Sequence, residues 1–143
     1  MNRISSFSIL IVVLVSLFLA SACGAGAGRS AGLAPLSALP ARMQSAPLRV
    51  REAYQFAVAN PDGLKNVPCY CGCGAVGHTS NYACYIKETR PQGTLVFDDH
   101  ALGCSICVDI AQDVKRLTAE GTSPAAVHDF IVATYSKFGP ANQ

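Results

Sequence analysis

Apolar positions recur with a helical period in the last third of the chain. Ile106, Ile110, Val114 and Leu117 form one stripe, which ends at Gly121. Val127, Phe130, Ile131, Thr134 and Phe138 form a second, opened by Ser123-Pro124 and closed by Gly139. Helix, glycine, helix predicts an antiparallel hairpin. Upstream, Val50, Ala53, Tyr54 and Ala57 mark one face of a helix that stops near Asn60-Pro61. A short turn from Pro61 to Val67 follows. Ser80 or Asn81 is placed to cap a further helical segment running through Ile86, with Cys84 inside it. Arg90 to Gly93 reads as a turn, and Thr94 to Phe97 as a short extended piece. The expected fold is mainly α: a small helical domain with a Cys-rich loop and a C-terminal helical hairpin.

The beginning of the chain follows different rules. Arg3 precedes an apolar stretch from Ile9 to Ala20, and Ala20-Ser21-Ala22 leads into Cys23. A basic start, a short apolar segment and small residues before a cut site describe a secretory signal over residues 1–22. Small residues followed by Cys23 resemble the lipobox of bacterial lipoproteins, which implies lipidation of Cys23 and anchoring on the extracytoplasmic side of the cell membrane. Residues 23–46 hold little charge and much Gly, Ala, Ser and Pro, the composition of a flexible tether. Residues 47–143 are then one Cys-rich domain, small enough for cross-links or metal to matter.

Charge and motifs exclude several functions. A net charge of +2 without a basic stripe gives no footing for nucleic acid. No Walker loop, dinucleotide fingerprint or internal repeat is present. Ser80 and Ser105 have no base and acid positioned by sequence, so any enzymatic activity would run through thiols.

The chemistry lies in the cysteines. The chain has seven, and assigning Cys23 to lipid leaves six. Cys69, Cys71 and Cys73 sit in the run Pro68-Cys69-Tyr70-Cys71-Gly72-Cys73-Gly74, and Cys84, Cys104 and Cys107 follow. Alternate cysteines are poorly placed to bridge one another, because disulfide geometry is demanding over so short a loop. The run therefore faces something beyond itself, either a soft metal or cysteines elsewhere in the chain. Cys104 and Cys107 open a helix at a spacing that sets both thiols on one side, where the helix N-terminus favours thiolate.

Ala53 to Phe138 resembles the bacterial lipoproteins named for a PCYCGC motif, carried here as Pro68 to Cys73. Further resembling pieces are Gly77-His78, Ser80-Asn81-Tyr82, Asp98-Asp99-His100, Gly103 to Cys107 and Asp109-Ile110-Ala111. The resemblance implies an address and a cysteine framework but no reaction. The C-terminal half, from Cys104-Ser105-Ile106-Cys107 through Phe130 to Tyr135, also looks like the membrane-anchored thiol proteins of cytochrome c maturation. That likeness implies a C-x-x-C in a small helical domain that reduces apocytochrome cysteines. Leu102-Gly103 and Val108 stand where those proteins have Leu-Arg and Gln.

Three readings of the six cysteines remain open. Thiolates select Cu(I) and Zn(II), and four sulfurs complete a tetrahedral zinc site. Cys69, Cys71, Cys73, Cys84, Cys104 and Cys107 are the candidate ligands, with His78 and His100 able to complete a mixed shell or support it from behind. In this reading copper or zinc is the cofactor, and an envelope metalloprotein is the partner that receives it. Structural disulfides in an exported interaction module are the second reading. The third is thiol–disulfide exchange, with Cys104 attacking and Cys107 resolving. Asp98 and Asp99 read as a capping or solvated turn, and Tyr70, Tyr82 and Tyr85 as packing around the cluster.

Overall fold

The computed structural model describes residues 31–142. The expected signal segment, Cys23 and the start of the expected tether lie outside the described residues. Among the described residues, five α-helices and one two-stranded sheet make a mainly α domain. No helix among the described residues is long and apolar enough to cross a membrane.

Three prolines set the path into the domain. Pro35, Pro40 and Pro47 each stand in extended backbone immediately before a helical turn, a short 3₁₀ turn in the first case and then α1 (Ala41–Gln44) and α2 (Leu48–Ala59). Proline fixes φ and lacks the N–H that a helix start leaves unpaired, so it serves this junction well. The tether expected through Ala46 therefore gives way to folded structure by Ala34. Leu39 and Met43 are buried in the common core. Ala34 exchanges hydrogen bonds with Gln55: its N–H donates to the Gln55 carbonyl at 3.1 Å, and its carbonyl accepts from Gln55 Nε2 at 2.6 Å. Composition pointed to a spacer because the burial rests on just a few apolar residues among many small ones.

Helix α2 buries Ala53, Tyr54 and Ala57 and ends at Asn60, as its pattern predicts, while Val50 is only partly buried and Phe56, outside the pattern, lies fully inside. The turn expected from Pro61 to Val67 is largely a short helix, α3 (Pro61–Lys65), with Pro61 at its start and Leu64 buried. The segment from Asn81 to Ile86 is not a continuous helix. A single 3₁₀ turn over Tyr82–Cys84 gives way to strand β1 (Ile86–Thr89), which pairs antiparallel with β2 (Leu95–Phe97). The expected cap is occupied elsewhere, since Asn81 turns its side chain inward to Cys107. The extended piece and the turn before it stand as read, with Gln92 at φ 70 in the turn.

Helix α4 (Ser105–Ala119) is the centre of the domain. It buries Cys107, Val108, Ile110, Ala111, Val114 and Leu117, and packs against α2 and against α5 (Pro124–Tyr135). Gly121, at φ 79, carries the chain out of α4 through a left-handed turn that other residues resist. Ser123 then caps α5, its Oγ accepting from the Ala126 N–H at 3.3 Å. The face of α5 differs from its pattern. Val127, Ile131 and Tyr135 are buried, whereas Phe130 and Phe138 are 37% and 53% exposed. Tyr135 takes the inward place because its hydroxyl can donate to Asp113 Oδ2 at 2.8 Å, and Phe130 instead lies under the Arg116 guanidinium.

Residues 34–46 are thus part of the folded unit. Met43→Ala should cost about 2–5 kcal/mol, as buried large-to-small changes do. Leu36→Ala, at a half-exposed position, should stay within about 0.5 kcal/mol. Urea midpoints of the two variants check this, and equal midpoints would return the segment to a spacer.

Candidate metal centre

The cysteine run enters the core behind Leu64 and Val67, both buried, and is pinned where the Asn81 N–H donates to the Val67 carbonyl at 3.0 Å. Gly72, at φ 74, reverses the backbone between Cys71 and Cys73. A Cβ there would meet nothing within 4 Å, so conformation rather than space calls for glycine. Cys84 arrives on the 3₁₀ turn, Cys104 stands at the N-cap of α4, and Cys107 lies in its first turn.

Four of these sulfurs converge. The Sγ atoms of Cys69, Cys71, Cys84 and Cys107 all lie within 4.8 Å of one another. Cys69 is the centre, 3.4 Å from Cys107 and 3.5 Å from Cys84. A tetrahedral ion with metal–sulfur bonds of about 2.3 Å would set its sulfurs about 3.8 Å apart, so small movements fit the group to such an ion. Cys69, Cys84 and Cys107 are fully buried. All six cysteines of the domain are free thiols, and Cys69 has two thiol neighbours rather than one disulfide partner.

A second group adjoins the first. Cys71, Cys73, His78 and His100 bring their ligand atoms within 4.8 Å of one another, and His100, Cys104 and Cys107 do the same. His100 Nε2 lies 3.5 Å from Cys73 Sγ, and the two imidazoles meet edge to face at 4.7 Å between centroids. Every ligand candidate in the domain is therefore present in one continuous cluster.

Polar side chains hold the cluster from outside. Asn81 Nδ2 donates to the Cys107 carbonyl at 3.1 Å and lies 3.8 Å from Cys69 Sγ. The Tyr85 hydroxyl donates to the same carbonyl at 2.7 Å. Asn142 Nδ2 donates to Cys71 Sγ at 3.2 Å and to the His78 carbonyl at 2.9 Å, while its N–H donates to the Cys69 carbonyl. Asp98 does more than cap a turn. Its Oδ1 accepts from the His100 N–H at 2.8 Å, and its Oδ2 lies 3.4 Å from His78 Nε2. Of these supports, Asn142 carries no local motif that could have announced it. Asn81 was legible only as a cap. Tyr85 packs on the cluster as expected, and Tyr70 is buried beside it.

The buried thiols ionise unequally. Hydrogen bonds from Cys107 and Cys84 hold Cys69 far below the usual thiol range. Cys107 is pushed well up, by its bond to Cys69, its bond to Cys84 and burial. A bond from Cys107 lowers Cys84, but donation to Cys69 and burial outweigh it and raise that thiol too. Burial, partly offset by Asn142, pushes Cys71 up to about 11. The helix N-terminus favours thiolate at Cys104 and Cys107, but at Cys107 the bond to Cys69 at 3.4 Å and burial outweigh the helix end, and ionisation is favoured at Cys69 instead. Ionisation is favoured at Cys69 and opposed at Cys71, Cys84 and Cys107.

The consequence for pH has a definite sign. Raised pKa values at Cys71, Cys84 and Cys107 mean that the unfolded chain releases protons above about pH 8.5 that the folded chain keeps. Their contribution is complete below that pH and is lost above it. The depressed Cys69 contributes oppositely, but its term is constant once the unfolded thiol has ionised. Metal-free, reduced protein should therefore lose stability as pH rises from about 9 to 11, as read by the urea midpoint. A midpoint that climbs over that range would contradict the arrangement of thiols described.

A family described as a protein of unknown function with PCYCGC motif matches residues 16–142. No curated protein and no solved structure matches the chain, and the likeness of the C-terminal half to cytochrome c maturation proteins has no support.

Proposed function

The chain belongs to the PCYCGC-motif family, which carries no assigned activity, and from its site we propose that it holds a soft metal ion, Zn(II) or Cu(I), through clustered cysteines. The observation that carries this reading is the convergence of four largely buried sulfurs within 4.8 Å. Thiols so placed repel one another when ionised, and a bound cation removes that penalty. Four sulfurs match the tetrahedral demand of zinc, and thiolate softness equally suits Cu(I). Elemental analysis separates the two.

Disulfide pairing is less well supported, because the sulfurs meet as a group and Cys69 has two thiol neighbours. Thiol exchange through Cys104 and Cys107 needs a resolving thiol free to act, and Cys107 is buried with its sulfur engaged by Cys69. The signal pattern before Cys23 supports export and lipid anchoring, so the domain would work outside the cytoplasmic membrane. There, ligation would guard its thiols from oxidation. An envelope metalloprotein would be the recipient of the ion. In this reading the protein is a metal holder or metallochaperone rather than an enzyme.

Native mass spectrometry with elemental analysis, on protein purified reduced, tests the proposal. We expect bound zinc or copper with the buried thiols protected from alkylation, and loss of the four-sulfur site in Cys84→Ser. Asn142→Ala, which removes the support of Cys71, should weaken the metal about 10–100-fold. Metal-free protein whose mass shows six fewer protons would replace this reading with three disulfides. Cys23→Ser should release the protein from membranes, and unchanged partitioning would remove the lipid anchor.

A further inference from the structure

Two buried side-chain polar atoms have no hydrogen-bond partner among the described residues, and both border the cysteine cluster: His78 Nδ1 and Asn81 Oδ1. A buried imidazole nitrogen without a partner is costly and calls for an explanation. His78 is only 5% exposed, and its other nitrogen faces Asp98 Oδ2 at 3.4 Å. That carboxylate is firmly held: its backbone N–H donates to the Tyr85 carbonyl at 2.8 Å, and its carbonyl accepts from the Tyr54 hydroxyl at 2.7 Å. Carboxylate, then imidazole, then an open nitrogen is the order found behind metal-ligating histidines, where the carboxylate fixes the tautomer that leaves the far nitrogen free to bind.

Resting on the metal reading above, we propose that the domain holds two metal ions, the second bound by Cys71, Cys73, His78 and His100, with Cys71 bridging to the first. These four residues bring their ligand atoms within 4.8 Å of one another, and Cys71 belongs to both groups. The two positions differ in kind. The inner one has four sulfurs, three of them fully buried, whereas the outer has two sulfurs and two nitrogens, with Cys73 and His100 partly exposed. Imidazole nitrogens suit a borderline divalent ion such as zinc. Charge favours the pair as well. One divalent ion among four thiolates leaves surplus negative charge in a buried site, and a second ion sharing Cys71 offsets it. The inner position is then the tight store, and the outer is where an ion enters or leaves.

The test uses the full chain in detergent, reduced and metal-free, titrated separately with Zn(II) and Co(II). Thiolate-to-cobalt absorption counts the Co–S bonds, and far-UV circular dichroism follows the helices. We expect two ions per chain. In His78→Ala/His100→Ala one ion should remain, with four-sulfur absorption. In Cys84→Ser the four-sulfur absorption should be lost while an ion of the two-sulfur kind stays. Cys104→Ser should keep both. If the double histidine variant loses its helices, Asp98→Asn is read instead, with the second ion weakened about 10–100-fold and the first unchanged. One ion per chain with four-sulfur absorption, insensitive to the histidine changes, would overturn the second position and leave the first standing. Loss of an ion in Cys104→Ser would overturn the ligand set named here. A chain that binds neither Zn(II) nor Co(II) would overturn the two-ion proposal and leave the metal reading to Cu(I) alone.

Discussion

The carbonyl of Cys107 ties the domain together. It lies in the first turn of α4 and accepts from two side chains at once, the Tyr85 hydroxyl and the Asn81 amide, both fully buried. These donors come from the segment that also delivers Cys84 and begins β1. Through them the segment after the cysteine run is fastened to the central helix. Charge-free hydrogen bonds of this sort each contribute only about 1 kcal/mol net, yet leaving any of the three groups unpaired in the core would cost more. The sulfurs meet because these bonds bring their backbones together, and the thiols themselves supply little of that force.

Polar groups this far inside need an apolar frame. Tyr54 packs edge to face on Tyr85 at 5.0 Å, and its hydroxyl reaches the backbone of Asp98. Phe56, Leu64, Ile110 and Ile131 fill the space between α2, α4 and α5. Helix α2 thereby serves the cluster without supplying a sulfur or imidazole: its Tyr54 bonds the turn at Asp98 and packs on Tyr85, whose hydroxyl holds the carbonyl of Cys107.

The helices with a clean apolar period were readable from the chain alone. For α4 the stripe through Ile110, Val114 and Leu117 matches the buried face, with Ile106 at its start only partly buried, because a long amphipathic helix at the centre of a domain has little choice of side. Helix α5 was misread at Phe130 and Phe138, because an aromatic ring can lie over a cation at the surface as readily as in a core. The segment at Asn81 was misread because a capping side chain found a better partner across the fold. Every sulfur and imidazole of the site was visible in the sequence, since thiols clustered at short spacing are rare without a purpose. Their grouping was not visible. Which three sulfurs join Cys69 depends on the tertiary path, and Cys73, as near to Cys71 in sequence as Cys69 is, falls into the other group. Asn142 was out of reach altogether, because one amide in an irregular segment has no local signature.

On the metal reading, this grouping bears on how an ion would be acquired. In an unfolded chain Cys69, Cys71 and Cys73 are already neighbours, while Cys107 is 38 residues from Cys69 and becomes available only after a long loop has closed. An ion that meets the chain early therefore finds a local trio that includes Cys73, and completing the buried set means exchanging Cys73 for Cys84 and Cys107. Early capture would then be a kinetic trap with the wrong third sulfur. Such a chain gains by collapsing around α4 before it encounters metal.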